Sequence, residues 1–179
     1  NFLFPHQAYG IGMPMTSKFW DAKINARRER FGMKVIHSKN YKKELKKDPE
    51  TLKAVLVLSD QSPGNSLKSY WMRFLNQETA VLFGTEMMAH ELDFAVVNFI
   101  TKKVKRGYYT LELELNTDNP SSCEWGDITE SHTKSLEKAI IASPENWLWS
   151  HKRWKREIPE DLVKLKKEQH EKFNSRYKR

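Results

Sequence analysis

The chain has 179 residues, 39% hydrophobic and 30% charged, with a formal net charge of +8. That length supports a domain with a real core, and the charge calls for an acidic partner: nucleic acid, anionic lipid, a phosphorylated sugar or an acidic protein. A single cysteine, Cys123, excludes a disulfide framework and a cysteine-based zinc site and fits a reducing compartment, and no run approaches the ~20 apolar residues that span a bilayer.

The opening, NFLFPHQAYG, is apolar from its first residue and reads as entry into a fold already under way, as expected of the C-terminal portion of a longer protein. PMTSKFWDAKINARRERFG then predicts a helix, capped by Thr16 or Ser17 and closed by Gly32, with Phe19, Trp20, Ile24 and Phe31 on one face. MKVIH is a short strand, and YKKELKKDPETLK is a polar helix interrupted before Pro49. AVLVLSDQ reads as a buried strand, Ala54 to Leu58, ending in polar groups, and SPGN breaks the chain after it. TAVLF is a second strand, ended by Gly84, and TEMMAHEL a helix with Met87, Met88 and Leu92 inward. FAVVNFI reads as another buried strand and KKVKRGYYTLELELN as a half-exposed one near a sheet edge. ITESHTKSLEKAIIAS is an amphipathic helix with Leu136, Ala139 and Ile140 as its apolar side. After PENWLWSHKRWK, a basic helix with a thin apolar stripe frays toward the end. Helices alternate with strands, which gives an α/β class. The division expected is a main domain over residues 1–157 and a basic helical tail over 158–179.

Several places could hold chemistry. A strand that ends in Asp60 and Gln61 puts a carboxylate and an amide where α/β sheets bind ligands, although a turn aspartate capping backbone N–H groups has the same appearance. Arg28 and Arg30 can clamp a phosphate or carboxylate, or be a solvated helix face. His132 and Glu137 have the spacing of a base and its orienting carboxylate, but residues five apart are not neighbours on a helix. No histidine spacing suggests a metal site, and no phosphate-cradling glycine loop is present.

Four stretches occur in the order and rough spacing of one family: SKFWDAKINARRERFG, VLVLSDQSPG, TAVLFGTEMMAHELDFAVV and PENWLWSHKRWK. Together they resemble the bacterial lipid A biosynthesis acyltransferases of the HtrB-like, late-acting kind. The resemblance runs from about residue 8 to 157. It implies a glycerolphosphate-acyltransferase-like mixed sheet flanked by helices, incomplete at the N-terminus, and no cofactor. It also implies transfer of a fatty acyl chain from acyl carrier protein or acyl-CoA to a hydroxyl of a lipid A precursor or related glycolipid. The setting implied is the anionic cytoplasmic face of the bacterial inner membrane. The family's catalytic His-x4-Asp/Glu pair is expected upstream of Asn1, so the chain as it stands is expected to be inactive alone. By the same resemblance Arg28 or Arg30 contacts substrate phosphate, Asp60 partners an arginine or another site donor, Gln61 follows it, and Glu86 helps close the pocket. Trp147 and Trp149 pack the domain end, and Lys152, Arg153, Lys155 and Arg156 face headgroups or carrier protein. The readings left beside this one are a basic nucleic-acid-binding domain and a catalytically inactive homologue kept for interaction.

Overall fold

The residues just after His6, which the sequence offers only as an apolar entry, form the middle of a sheet. Strand β1 (Gln7–Gly12) pairs in parallel with β2 (Lys34–His37) on one side and β3 (Lys53–Leu56) on the other. The computed structural model describes residues 5–178, in two units, Asn1–Leu58 and Ser59–Arg179. Residues 1–4 of the expected entry segment and Arg179 of the basic tail lie outside the described residues.

In the first unit, helix α1 (Lys18–Glu29) is the crossover that the parallel pair β1–β2 needs. Ser17 caps it by accepting the Trp20 N–H, and the chain leaves it through Gly32 at a φ of 86°. The loop is fixed at both ends: the Gln7 side-chain amide donates to the Gly32 carbonyl at 2.7 Å, and the Val35 N–H donates to Glu29 Oε1 at 3.1 Å. The expected inward face of α1 is not inward. No residue of this helix is buried, and Phe19, Trp20 and Phe31 are all more than half exposed. Helix α2 (Tyr41–Leu45) is one short turn that anchors the unit through buried Leu45. Strand β3 corrects a second expectation. It is an edge strand, so its residues are at best half-buried, and Leu56 and Leu58 are exposed.

The second unit begins with a hairpin whose first strand the pattern reading passed over. Strands β4 (Tyr70–Phe74) and β5 (Gln77–Val81) pair antiparallel, and Tyr70, Trp71, Met72 and Phe74 are all buried. The two turn residues, Leu75 and Asn76, both take positive φ, 48° and 64°, as a tight two-residue hairpin requires. Helix α3 (Gly84–Leu92) follows and buries Glu86, Met88 and Ala89.

A second hairpin, β6 (Val96–Lys105) with β7 (Tyr108–Thr117), accounts for the next two predicted strands. Its polar face meets helix α4 (Asp127–Ala142): Asn116 donates to the Ile128 carbonyl at 3.1 Å, and Ser135 Oγ to Glu114 at 2.7 Å. The opposite face carries Val97, Phe99, Leu111, Leu113 and Leu115, all exposed. FAVVNFI is therefore not a buried strand here; the hydrophobic run belongs to a strand with one uncovered face. Helix α5 (Leu162–Tyr177) does not fray. It stays helical to Tyr177, whose Oη donates to the Met87 carbonyl, and its Phe173 is buried against Phe83 and His90. The class is mixed α/β, parallel in one unit and antiparallel in the other.

Candidate functional site

In the first unit a cavity of about 190 Å³ opens at Gly12 and His37, the carboxyl-terminal residues of β1 and β2. This is where α/β sheets place ligands. Arg28 lines it, with Asp21, Asn25 and His37. One face of α1 sets the arginine by i, i+4 and i, i+3 spacing. The Met15 N–H donates to Asp21 Oδ1 at 2.9 Å, Asn25 Nδ2 to Asp21 Oδ2 at 3.3 Å, and Arg28 Nη1 to Asn25 Oδ1 at 3.3 Å. The Asp21 charge is thus met by two donors, and the arginine is held by a neutral amide, which leaves its charge for a ligand. His37 Nδ1 accepts the Lys39 N–H at 3.0 Å, so its neutral ring carries the proton on Nε2, as a donor. Of the two arginines singled out, Arg28 lines the cavity and Arg30 lies over the Phe31 ring, 5.4 Å from its centroid. Asp21, Asn25 and His37 escaped the sequence reading. The first two could have been found from their helical spacing to Arg28.

The second unit holds the Asp60 loop. Residues 59–63 are fastened by the tryptophan-rich motif about ninety positions later. His151 Nε2 accepts the Ser62 N–H at 3.0 Å, and Arg156 Nε donates to the Pro63 carbonyl at 2.7 Å. Ser59 Oγ meets Thr85 Oγ1 at 3.0 Å. Arg153 does not face the surface as expected. It is 3% exposed, donates to the Ala80 carbonyl at 2.7 Å and stacks over Phe74. Burial lowers its pKa, and the Asp60 charge works the other way to favour the cation. Asp60 therefore acts on an arginine of the C-terminal motif, while Gln61 is exposed beside it. Trp154 donates to Thr79 Oγ1 at 2.9 Å, and Trp147 packs edge-on to Phe74. Trp149, expected to pack the domain end, is exposed instead, and of the four basic residues expected to face headgroups or carrier protein only Lys152 and Lys155 are exposed. His151 and Arg156 clasp the loop, Arg153 and Trp154 turn inward onto β5, and Leu148 to Ser150, Lys152 and Lys155 stay outward.

Glu86 is not at a pocket mouth. It is fully buried, and its two oxygens accept the Gly126 and Thr129 N–H groups at 2.6 and 2.8 Å, at the start of α4. Burial raises its pKa, and these hydrogen bonds pull it back only in part. His132 and Glu137 do not act together. Glu137 accepts the N–H of Leu75 in the β4–β5 turn, and His132 Nδ1 faces Thr133 Oγ1 at 3.5 Å. Burial takes the His132 pKa down to about 4.

Among the described residues there is no cluster of three or more His, Cys, Asp or Glu able to hold a metal, and no helix long and apolar enough to cross a membrane. A wider depression of about 420 Å³ beside Leu67 and Pro159 is lined by Glu160, Asp161 and Glu168 against one lysine, a poor match for an anionic substrate. Comparison with curated proteins gives no significant match. The family model for bacterial lipid A biosynthesis acyltransferases matches residues 6–156. That span takes in the Arg28 cavity, the Asp60 loop and its clasp, and on this evidence the chain belongs to the bacterial lipid A biosynthesis acyltransferase family.

Proposed function

We propose that this chain serves the transfer of a fatty acyl group from the thioester of acyl carrier protein or CoA to a hydroxyl of a phosphorylated lipid A precursor. The setting is the cytoplasmic face of the bacterial inner membrane. A hydroxyl attacks a thioester slowly unless a base takes its proton and donors meet the oxyanion. His132 is not that base, because its ring is buried away from any acceptor site and Glu137 holds a turn. No other histidine of the chain has a carboxylate five positions on, so the base is not assigned to a residue of this chain. What this chain contributes is recognition and support.

The observation that carries the reading is the Arg28 guanidinium. It is pinned by Asn25 and lines a cavity below the ~300 Å³ typical of sites for whole drug-sized ligands. Such a cavity suits a headgroup fragment. A planar guanidinium with a neighbouring neutral donor, His37 Nε2–H, matches a phosphate monoester. The Asp60 loop and its clasp would then support the second unit of the acyltransferase scaffold.

The test is titration of the detergent-dispersed acceptor, with and without its phosphates, into the full chain. Arg28→Ala should weaken binding of the phosphorylated form about tenfold or more, the loss of one charge-assisted contact. It should leave the dephosphorylated form within about twofold, and Arg30→Ala should leave both so. Equal effects on the two acceptors would reject the phosphate contact.

A further inference from the structure

Every residue from Met13 to Trp20 is exposed. Four of them are large and apolar: Met13, Met15, Phe19 and Trp20, between 46% and 78% exposed. Phe19 and Trp20 meet edge to face, centroids 5.3 Å apart, and Lys23 Nζ sits over both rings at 5.5 and 5.7 Å. Lys18 and Arg27 are exposed close by on the same helix, which buries none of its residues. Net charge is concentrated in this unit as well. Asn1–Leu58 holds twelve Lys/Arg against five Asp/Glu, while Ser59–Arg179 holds nineteen against eighteen, so the first unit carries +7 and the second +1.

We infer that residues 13–20 are a wedge that docks this unit on an anionic phospholipid surface. Aromatic and methionine side chains enter the headgroup boundary, and Lys18, Lys23 and Arg27 lie beside the lipid phosphates. Tryptophan at an interface and lysines next to anionic headgroups are each favourable, and here both occur on one helix start whose side chains are exposed among the described residues. The wedge also runs into the rim of the Arg28 cavity, which Met13 and Pro14 line. A headgroup in that cavity would have its acyl chains at the bilayer. This last step rests on the phosphate reading above; the wedge itself does not.

The experiment is sedimentation of the full chain with vesicles of phosphatidylcholine, with and without phosphatidylglycerol. The intact chain should prefer the anionic vesicles. Phe19→Ser with Trp20→Ser should cut the apparent affinity about tenfold or more, and Lys18→Gln with Lys23→Gln several-fold. Trp149→Ser should leave it within about twofold. Because these side chains are exposed, far-UV circular dichroism should not change. Bromolipid quenching gives a second readout, and Trp20→Phe should remove a quenchable share of the emission. Vesicle binding unchanged in the double serine variant would overturn the inference. So would quenching unchanged in Trp20→Phe, or loss in the serine variant of self-association or carrier-protein binding alone. Arg28→Ala separates the two readings: it should abolish phosphate discrimination and keep vesicle binding. If discrimination never depended on Arg28, the headgroup reading falls and the wedge stands.

Discussion

Gly126 is a residue that no other can replace. It takes a φ of 97°, and a Cβ built there would stand 2.2 Å from the Tyr70 hydroxyl and 2.7 Å from the ring carbon that bears it. Gly126→Ala therefore meets both left-handed backbone strain, about 1–2 kcal/mol, and a clash that only displacement of a buried tyrosine relieves. A total loss above about 2 kcal/mol is expected, read as a drop of several degrees or more in Tm. An unchanged Tm would mean that the approach of Tyr70 is looser than described. The arginines show a parallel division. Arg153→Ala strands the Ala80 carbonyl and empties the space over Phe74, so a loss of about 2–4 kcal/mol is expected in urea denaturation. Lys152→Ala and Lys155→Ala should each stay within about 0.5 kcal/mol. The composition of this motif was plain in the sequence, but its inside and outside were not. Neither a helix nor a strand period governs residues 147–156, so only the fold tells which cation is buried. Arg28 could be singled out from sequence, and its choice over Arg30 needed the cavity.

Among the elements, the first-unit helix kept its serine cap and its closing glycine but not its inward apolar face, β3 ran at a sheet edge and not in a buried position, and the long amphipathic helix α4 formed over the expected stretch with Ile140 buried. β4 was missed although YWMRF is a short apolar run of the buried-strand kind. Its turn, Leu75-Asn76, lacks the glycine that marks most tight hairpins, and Glu137 from α4 supplies the support instead. The same helix carries a titration that stability can report. The His132 pKa lies near 4 in the folded chain, against an ordinary value of 6.5, because burial opposes the charged ring. Between those values the unfolded chain binds more protons than the folded one, so stability rises with pH across the window and is lost as pH falls from 6.5 through 4. The full shift corresponds to about 3 kcal/mol. His132→Gln should flatten the dependence of unfolding free energy on pH in that interval, compared with the parent chain. An equal slope in both proteins would show that another group sets it.

On the scale of the whole molecule, the apolar surface is unevenly covered. The core of the second unit is built from the β4–β5 hairpin, α3, α4 and α5, where Trp71, Phe74, Val81 and Ile128 are at most 1% exposed. The β6–β7 hairpin turns its polar face to α4 and leaves Val97, Phe99, Leu111, Leu113 and Leu115 open. The alternation in TLELEL was legible as a half-exposed strand, but alternation alone does not say which face meets the core. Sequence logic assigns the leucine side to the interior, and here the contacts are made by Asn116 and Glu114. A buried leucine replaced by a small or polar residue costs about 2–5 kcal/mol. At Leu111 and Leu113, threonine keeps the strand preference and removes apolar surface from water. The paired change Leu111→Thr with Leu113→Thr should therefore leave the unfolding midpoint within about 1 kcal/mol of the parent. It should also lower the fluorescence of an apolar dye bound to the native chain and reduce self-association, since both strands of a two-stranded sheet are edges. A loss of 2 kcal/mol or more, with no fall in dye binding, would show that this face is covered in solution.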